Sequence, residues 1–179
     1  MIIAETDRLI LRAWQERDNE PFAAMNADPM VMRYLGPPLS RQQSDEAIAN
    51  QSKLMDKGEP AFWAVERRQD NHFMGCIGVK RVTFEAHFTP CYEIGWRLSA
   101  DYWGQGYATE GAKAALAAVF ANWNMPPIYS FTVYDNIKPQ SVMKRIGMDG
   151  DFEHPNLAKD DPLSQHVLYS VDRSSVMAL

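Results

Sequence analysis

The chain has 179 residues, of which 46% are apolar and 23% charged, the proportions of a single globular domain spanning residues 1–179. Its net charge of −5, with no basic run beyond Arg67-Arg68, argues against a nucleic-acid binder, which needs clustered Lys and Arg, and suits a cationic amine partner better. Ala112 to Ala121 is too short an apolar run for a bilayer, and the first twelve residues lack the basic start and apolar centre of a signal peptide, so no membrane association and a cytoplasmic location are expected.

Arg8 to Arg12 reads as a strand, and Asp18 offers an N-cap for a helix reaching Ala27. Asp28-Pro29 interrupts it; a short helix follows over Met30 to Leu35, and Ser40 opens a longer one that Gly58 stops. Ala61 to Arg67 and Phe73 to Phe84 flank Gln69-Asp70-Asn71 as an antiparallel hairpin, which Cys91 to Leu98 extends. From Tyr107 to Trp123 apolar residues recur at helical spacing, until Pro126-Pro127 ends the element. A strand over Ile128 to Val133, a helix over Pro139 to Ile146 and a strand over His166 to Val171 complete an α+β or mixed α/β order. Cys76 and Cys91 fall on strands, without CxxC spacing or neighbouring His, so neither a disulfide nor a metal site is expected.

The chemistry concentrates in YEIGWRLSADYWGQGYATEG, Tyr92 to Gly111: a strand, a tight loop with two glycines, and an amphipathic helix. Gly104 and Gly106 allow the backbone to turn its N–H groups inward, and the first-turn amides and dipole of the helix favour a diphosphate there. A strand-to-helix turn that binds nothing fits the two glycines as well. Gly106 to Lys113 is displaced from the P-loop pattern by Ala112 and lacks the following hydroxyl residue, which removes the magnesium ligand of an NTPase. The third glycine of a dinucleotide fingerprint is missing, and the upstream hairpin does not suit a Rossmann unit.

These segments resemble the GNAT superfamily of N-acetyltransferases, and within it the RimJ/RimL-like branch related to ribosomal-protein acetyltransferases. TDRLILR (Thr6 to Arg12), YEIGWRL, YWGQGYATEG, TVYDNIKPQSVMKRIGM (Thr132 to Met148) and QHVLY (Gln165 to Tyr169) stand in family order with family spacing. The resemblance implies a mostly antiparallel sheet of about six to seven strands, splayed in its middle and flanked by helices. It implies acetyl-CoA as cosubstrate, with no metal, lying between the strands Tyr92 to Leu98 and Ile128 to Val133. Its pantetheine would pair with backbone at Trp96, Arg97 and Leu98, and its pyrophosphate with Gly104, Gln105, Gly106, Tyr107, Ala108 and Thr109. Trp103 stands where the superfamily often has Arg or Gln, so binding would rely on amides. Asn136 matches the family Asn that contacts pantetheine, and equally suits a helix cap.

The implied reaction is direct attack of a primary amine, on a small molecule or a protein N-terminus, on the thioester. It requires a proton acceptor, donors for the carbonyl oxygen and alignment of the reactants. Glu93, on the strand beside the channel, is the candidate acceptor, and a bulge at Gly95 would free an amide near Gly95 or Trp96. The acid position of many superfamily members is here Met143, and the branch's usual Ser is Pro139, which leaves Ser141 and Tyr134 as substitutes. His154 and His166 read as structural residues or as acceptor-pocket groups. Trp14, Phe22, Met25, Met30, Met32, Tyr34 and Phe88 are candidates for an apolar acceptor wall and equally for core. A non-catalytic acyl-CoA sensor using the same cleft is the competing reading, and a homodimer is compatible with the sequence.

Overall fold

The computed structural model describes residues 1–153 and 164–177. Its strands are β1 (Ile2–Glu5), β2 (Leu9–Arg12), β3 (Phe62–Arg67), β4 (His72–Val82), β5 (Cys91–Leu98), β6 (Ile128–Val133), β7 (Asp149–Glu153) and β8 (His166–Val171). They form one sheet in the order β1-β2-β3-β4-β5-β6-β8-β7, antiparallel except between β5 and β6. The helices are α1 (Asn19–Ala27), α2 (Pro29–Met32), α3 (Arg41–Asp56), α4 (Tyr107–Asn122), α5 (Ile137–Arg145) and α6 (Arg173–Met177). No helix among the described residues is long and apolar enough to cross a membrane.

The sheet therefore has eight strands rather than about six to seven. β1 is an edge strand with exposed ends, so its short IIAE run shows no alternation until it pairs with β2. β7 begins Asp-Gly-Asp, residues depleted in strands, and becomes one by pairing with β8.

One face of the sheet is covered by α4 and α5. Leu9, Val65, Ile77, Val79 and Ile94 there meet Ala112, Ala115, Leu116 and Val119, all fully buried. Each large aliphatic side chain so buried contributes about 1.5–3 kcal/mol. The other face carries a second cluster, Phe22, Met25, Val31, Ile48 and Cys76, with Trp14 edge-on to Phe22 at 4.9 Å. Phe22 and Met25 of α1 are thus core residues, with the partly buried Trp14 packed against them; Met32 is buried as well, and Met30 is 61% exposed.

Two local expectations change. Ser40 caps α3 as expected, accepting from the Gln43 N–H while the Gln43 side chain accepts from the Ser40 N–H. Asp18, in contrast, does not cap α1: its fully buried carboxylate accepts from Arg12 at 2.7 and 2.8 Å and from the Gln15 N–H. Arg12 also donates to buried Glu66 at 2.7 Å, tying β2 and β3 to the turn before α1. The helix expected to begin at Pro139 begins two residues earlier at Ile137, and Pro139 remains in its first turn, where no intrahelical donor is needed.

Candidate active site

β5 is paired with β4 along its whole length, and β6 likewise with β8. β5 and β6 meet only at Tyr92↔Ile128 and Glu93↔Tyr129. Beyond that point they diverge, so alternate N–H and C=O groups of residues 94–98 and 130–133 face a gap instead of a strand. Leu98 lies five steps along the chain from Glu93, so the open stretch of β5 is about 16 Å long at ~3.3 Å per residue. A polar, extended chain can be held there by main-chain hydrogen bonds.

The expected pantetheine residues occupy this stretch. Trp96 packs against the α4 side of the core. Arg97 points the other way and donates to Asn26 Oδ1 at 2.6 Å; Asn26 in turn donates to Ser44 Oγ, both buried. The Arg97 side chain therefore tethers β5 to α1 and α3, leaving only its backbone for the gap. The bulge expected at Gly95 is absent: pairing runs unbroken through Gly78↔Gly95 and Ile77↔Trp96. Glycine at 95 leaves room for the Phe62 ring, whose tip lies 2.9 Å from where a Cβ would stand. Unpaired amides arise instead from strand divergence.

At the open end of the gap, β5 leads through a turn at Ala100–Tyr102 to Trp103, whose indole donates to the Leu98 carbonyl at 2.8 Å. Gly104 and Gly106 take left-handed φ of +75° and +83°, and Gly106 is the N-cap of α4 without any side chain capping the helix. The first-turn N–H groups, including those of Tyr107, Ala108 and Thr109, are therefore available to an anion, and α4 is long enough to carry a full end charge.

Side chains around the loop hold it in place. Gln105 donates to the Asp101 carbonyl, and its own carbonyl accepts from Arg8 at 3.0 Å. Tyr107 is buried beneath the Arg8 guanidinium, 4.4 Å from the ring centroid. Glu110 accepts from Thr6 Oγ1 at 2.5 Å and Arg8 Nε at 2.6 Å; these bonds hold its carboxyl below the usual range although burial pushes it up. The shallow hollow behind this turn, lined by Asp7, Arg8, Arg67, Arg68, Gln69 and Tyr107, offers little to a ligand: Arg8 pairs with Glu110, Arg67 with Asp70, and Arg68 with the Thr6 carbonyl. Lys138 of α5 reaches across the gap to 4.5 Å from the Trp103 ring centroid, a cation beside the loop that no sequence spacing signals.

Asn136 occupies the N-cap position of α5 but caps nothing; its amide donates to Thr132 Oγ1 at 3.0 Å, on the β6 rim of the gap. The Ser141 hydroxyl donates to the Ile137 carbonyl of its own helix at 3.1 Å. Tyr134 sits just past β6 and is 44% exposed, while its carbonyl accepts from Gln140. Met143 is 1% exposed and part of the α4-side core, so the position lost as an acid serves packing. His166 Nδ1 lies 3.3 Å from the Ser164 carbonyl, and His154 falls outside the described residues.

Glu93 lies where the two strands begin to part, on the sheet face opposite α4. Lys80 is its cross-strand partner, with Nζ 3.3 Å from Oε2, yet that oxygen makes no well-formed hydrogen bond. Burial pushes the Glu93 carboxyl up, and Lys80 opposes the rise. Aromatic side chains stand beside it: Phe84 and Phe131 at 5.7 Å, Phe88 and Tyr129 at 5.7 Å, Phe88 and Phe131 at 6.0 Å between centroids. Phe88, expected in the acceptor wall, belongs to this group. Among the described residues no cluster of three or more His, Cys, Asp or Glu is placed to hold a metal.

Residues 8–149 match the family model described as acetyltransferase (GNAT) domain. The chain is 31% identical over 144 residues to the uncharacterized N-acetyltransferase YnaD of Bacillus subtilis, covering 80% of each. Its fold is shared with RimL, the ribosomal L7/L12 alpha-N-protein acetyltransferase solved with coenzyme A, at a TM-score of 0.79 and 15% identity over 96% of this chain and 97% of that one. Spermidine N-acetyltransferase of Vibrio cholerae, solved with coenzyme A and spermine, matches at a TM-score of 0.77 and 18% identity over 96% and 99%.

Proposed function

Because the chain belongs to the GNAT acetyltransferase family and is an acetyl-CoA-dependent N-acetyltransferase, we propose that the β5–β6 gap binds the cosubstrate and that Glu93 serves as proton acceptor. The observation that carries this reading is the divergence of β5 from β6 beyond Glu93, ending at an uncapped helix N-terminus. The left-handed glycines fit a diphosphate, since no side chain at 104 or 106 intrudes on the space it needs. Amides from Gly104 to Thr109 hold the pyrophosphate; backbone at Trp96, Arg97 and Leu98, with Asn136, holds the pantetheine.

When bound, acetyl-CoA supplies an activated carbonyl and a thiol leaving group whose pKa of about 8.5 needs little protonation. The chain's own part is to orient the amine and take its proton. Glu93, raised by burial, takes that proton directly or through one water. Main-chain N–H groups of the parted strand donate to the carbonyl oxygen. The two candidate hydroxyls for returning a proton to sulfur are Tyr134, just past β6, and Ser141, which donates to the Ile137 carbonyl. The acceptor is a primary amine of a small molecule or a protein N-terminus. RimL and spermidine acetyltransferase, named for acceptors of these two kinds, share the fold.

Calorimetry with coenzyme A, followed by an acceptor screen read by product mass, tests the proposal. Wild type is expected to bind and to add one acetyl group to an amine. Gly106→Asp, which forces a side chain onto a left-handed φ of +83° and so distorts the turn that presents the amides, is expected to lose binding while keeping a cooperative melt. Unchanged affinity in that variant would remove the loop from the site.

A further inference from the structure

The loop from Trp103 to Thr109 contains no cation: its side chains are Trp, Gln, Tyr, Ala and Thr around two glycines. The Trp103 indole is tied to the Leu98 carbonyl, and Gln105 donates to the Asp101 carbonyl. Arg8 stands behind the turn, 3.5 Å from where a Gly106 Cβ would lie, but its charge is met by Glu110 at 2.6 Å. From the loop alone, a diphosphate would therefore find N–H groups and about half a unit of helix end charge.

Lys138 changes that balance. It lies in the first turn of α5, is exposed, and sets its Nζ 4.5 Å from the centroid of the Trp103 ring. The two residues come from opposite sides of the gap, Trp103 from the turn after β5 and Lys138 from the helix after β6. Asp101 and Asp135, the acids nearest to them in sequence, are exposed, yet neither pairs with Lys138, and no other carboxylate among the described residues does. An ammonium over an aromatic face at an exposed site is held weakly, so it exchanges that contact readily for a stronger one. α5, like α4, has no side chain capping its N-terminus, since Asn136 donates to Thr132 instead. An ammonium without a carboxylate partner and the positive ends of two helices thus flank the mouth of the gap.

Resting on the reading that the β5–β6 gap and this loop bind coenzyme A, we infer that Lys138 is the charged ligand of the pyrophosphate, supplied from α5 in place of the side chain that the loop lacks. A lysine ammonium on its flexible stem turns from the ring to a phosphate oxygen without moving the helix, and its rotatable donors suit a tetrahedral anion. A hydrogen bond between two charged groups is stronger than one from a neutral amide, so this contact adds to the loop amides without replacing them. The Trp103 ring keeps the ammonium beside the loop.

Calorimetry with coenzyme A and with dephospho-coenzyme A, which keeps the pyrophosphate and lacks the 3′-phosphate, tests this in wild type, Lys138→Met and Lys138→Arg. Lys138→Met is expected to bind both ligands about five- to tenfold more weakly, and Lys138→Arg to stay within about twofold of wild type. All three are expected to melt cooperatively at similar temperatures, because the side chain is exposed. High salt is expected to narrow the difference between wild type and Lys138→Met, since only wild type has this charge pair to screen. Equal affinity of wild type and Lys138→Met overturns the inference and leaves the cleft reading standing. A loss that Lys138→Arg shares, or that high salt does not diminish, overturns it as well, because packing against Trp103 would then explain the loss. A loss for coenzyme A alone, with dephospho-coenzyme A unaffected, overturns the assignment to the pyrophosphate and places Lys138 at the 3′-phosphate. If wild type binds neither ligand, the cleft reading itself fails and this inference falls with it.

Discussion

Glu93 carries two opposing influences, and for the proposed base their resultant would set the pH dependence of the reaction. Burial raises its carboxyl, Lys80 restrains the rise, and the net direction is upward. A base must be deprotonated to act, so kcat/KM is expected to rise with pH through an apparent pKa above the ordinary glutamate value of about 4.3. Glu93→Gln should remove that acidic limb and lower kcat by about 10²- to 10⁴-fold; a limb that persists in the variant would assign it to another group. Arg12 is the structural counterpart. Hidden with Asp18 and Glu66, it keeps its proton although burial opposes this, because both carboxylates hydrogen-bond it. Arg12→Ala leaves two buried carboxylates with fewer partners and should cost about 3–5 kcal/mol in urea unfolding. A loss under 1 kcal/mol, against that ~3–5 kcal/mol, would mean that water or Arg17 replaces it.

The loop before α4 is held from behind by the turn between β1 and β2. Thr6 and Arg8 both bond Glu110, and Arg8 also reaches the Gln105 carbonyl, so the first turn of the helix is pinned on the side away from the gap. Glu110 has a depressed carboxyl, so its stabilisation is present above the unfolded-state pKa and is lost as pH falls through the folded one. Arg8 is 45% exposed, which reduces the pair to about 0.5–1 kcal/mol after solvent screening. Glu110→Gln should therefore cost that much at neutral pH and close to nothing at strongly acid pH, measured by urea midpoints across the range. An equal loss at both ends would point to packing instead. The helix itself was readable from its spacing of alanines and large aliphatics. What pins it was not, because Thr6, Arg8 and Glu110 meet only after β1 and β2 have paired.

Across the whole molecule, the gap is the feature that the pairing pattern imposes. β5 is satisfied by β4 on one side and β6 by β8 on the other, so the edges between them are open beyond Glu93 and Tyr129. Amides of residues 94–98 that face the gap are expected to exchange faster than those facing β4, and to slow when coenzyme A binds. Hydrogen exchange followed by mass spectrometry checks this; protection confined to regions away from β5 would place the cosubstrate elsewhere. The sequence by itself determined the alternation of elements and the glycine loop ahead of a long amphipathic helix, because turn residues and apolar periodicity are local and are written in order along the chain; the family was legible through the resemblance of its motifs. Tertiary structure alone decided that Asp18 pairs with Arg12 instead of capping a helix, that Gly95 makes room for Phe62 instead of marking a bulge, and that DGDFE is a strand. It also decided which residues stand beside Glu93. Each of these depends on groups far apart in the chain being brought within a few ångströms, and their partners cannot be read from the residues on either side of them.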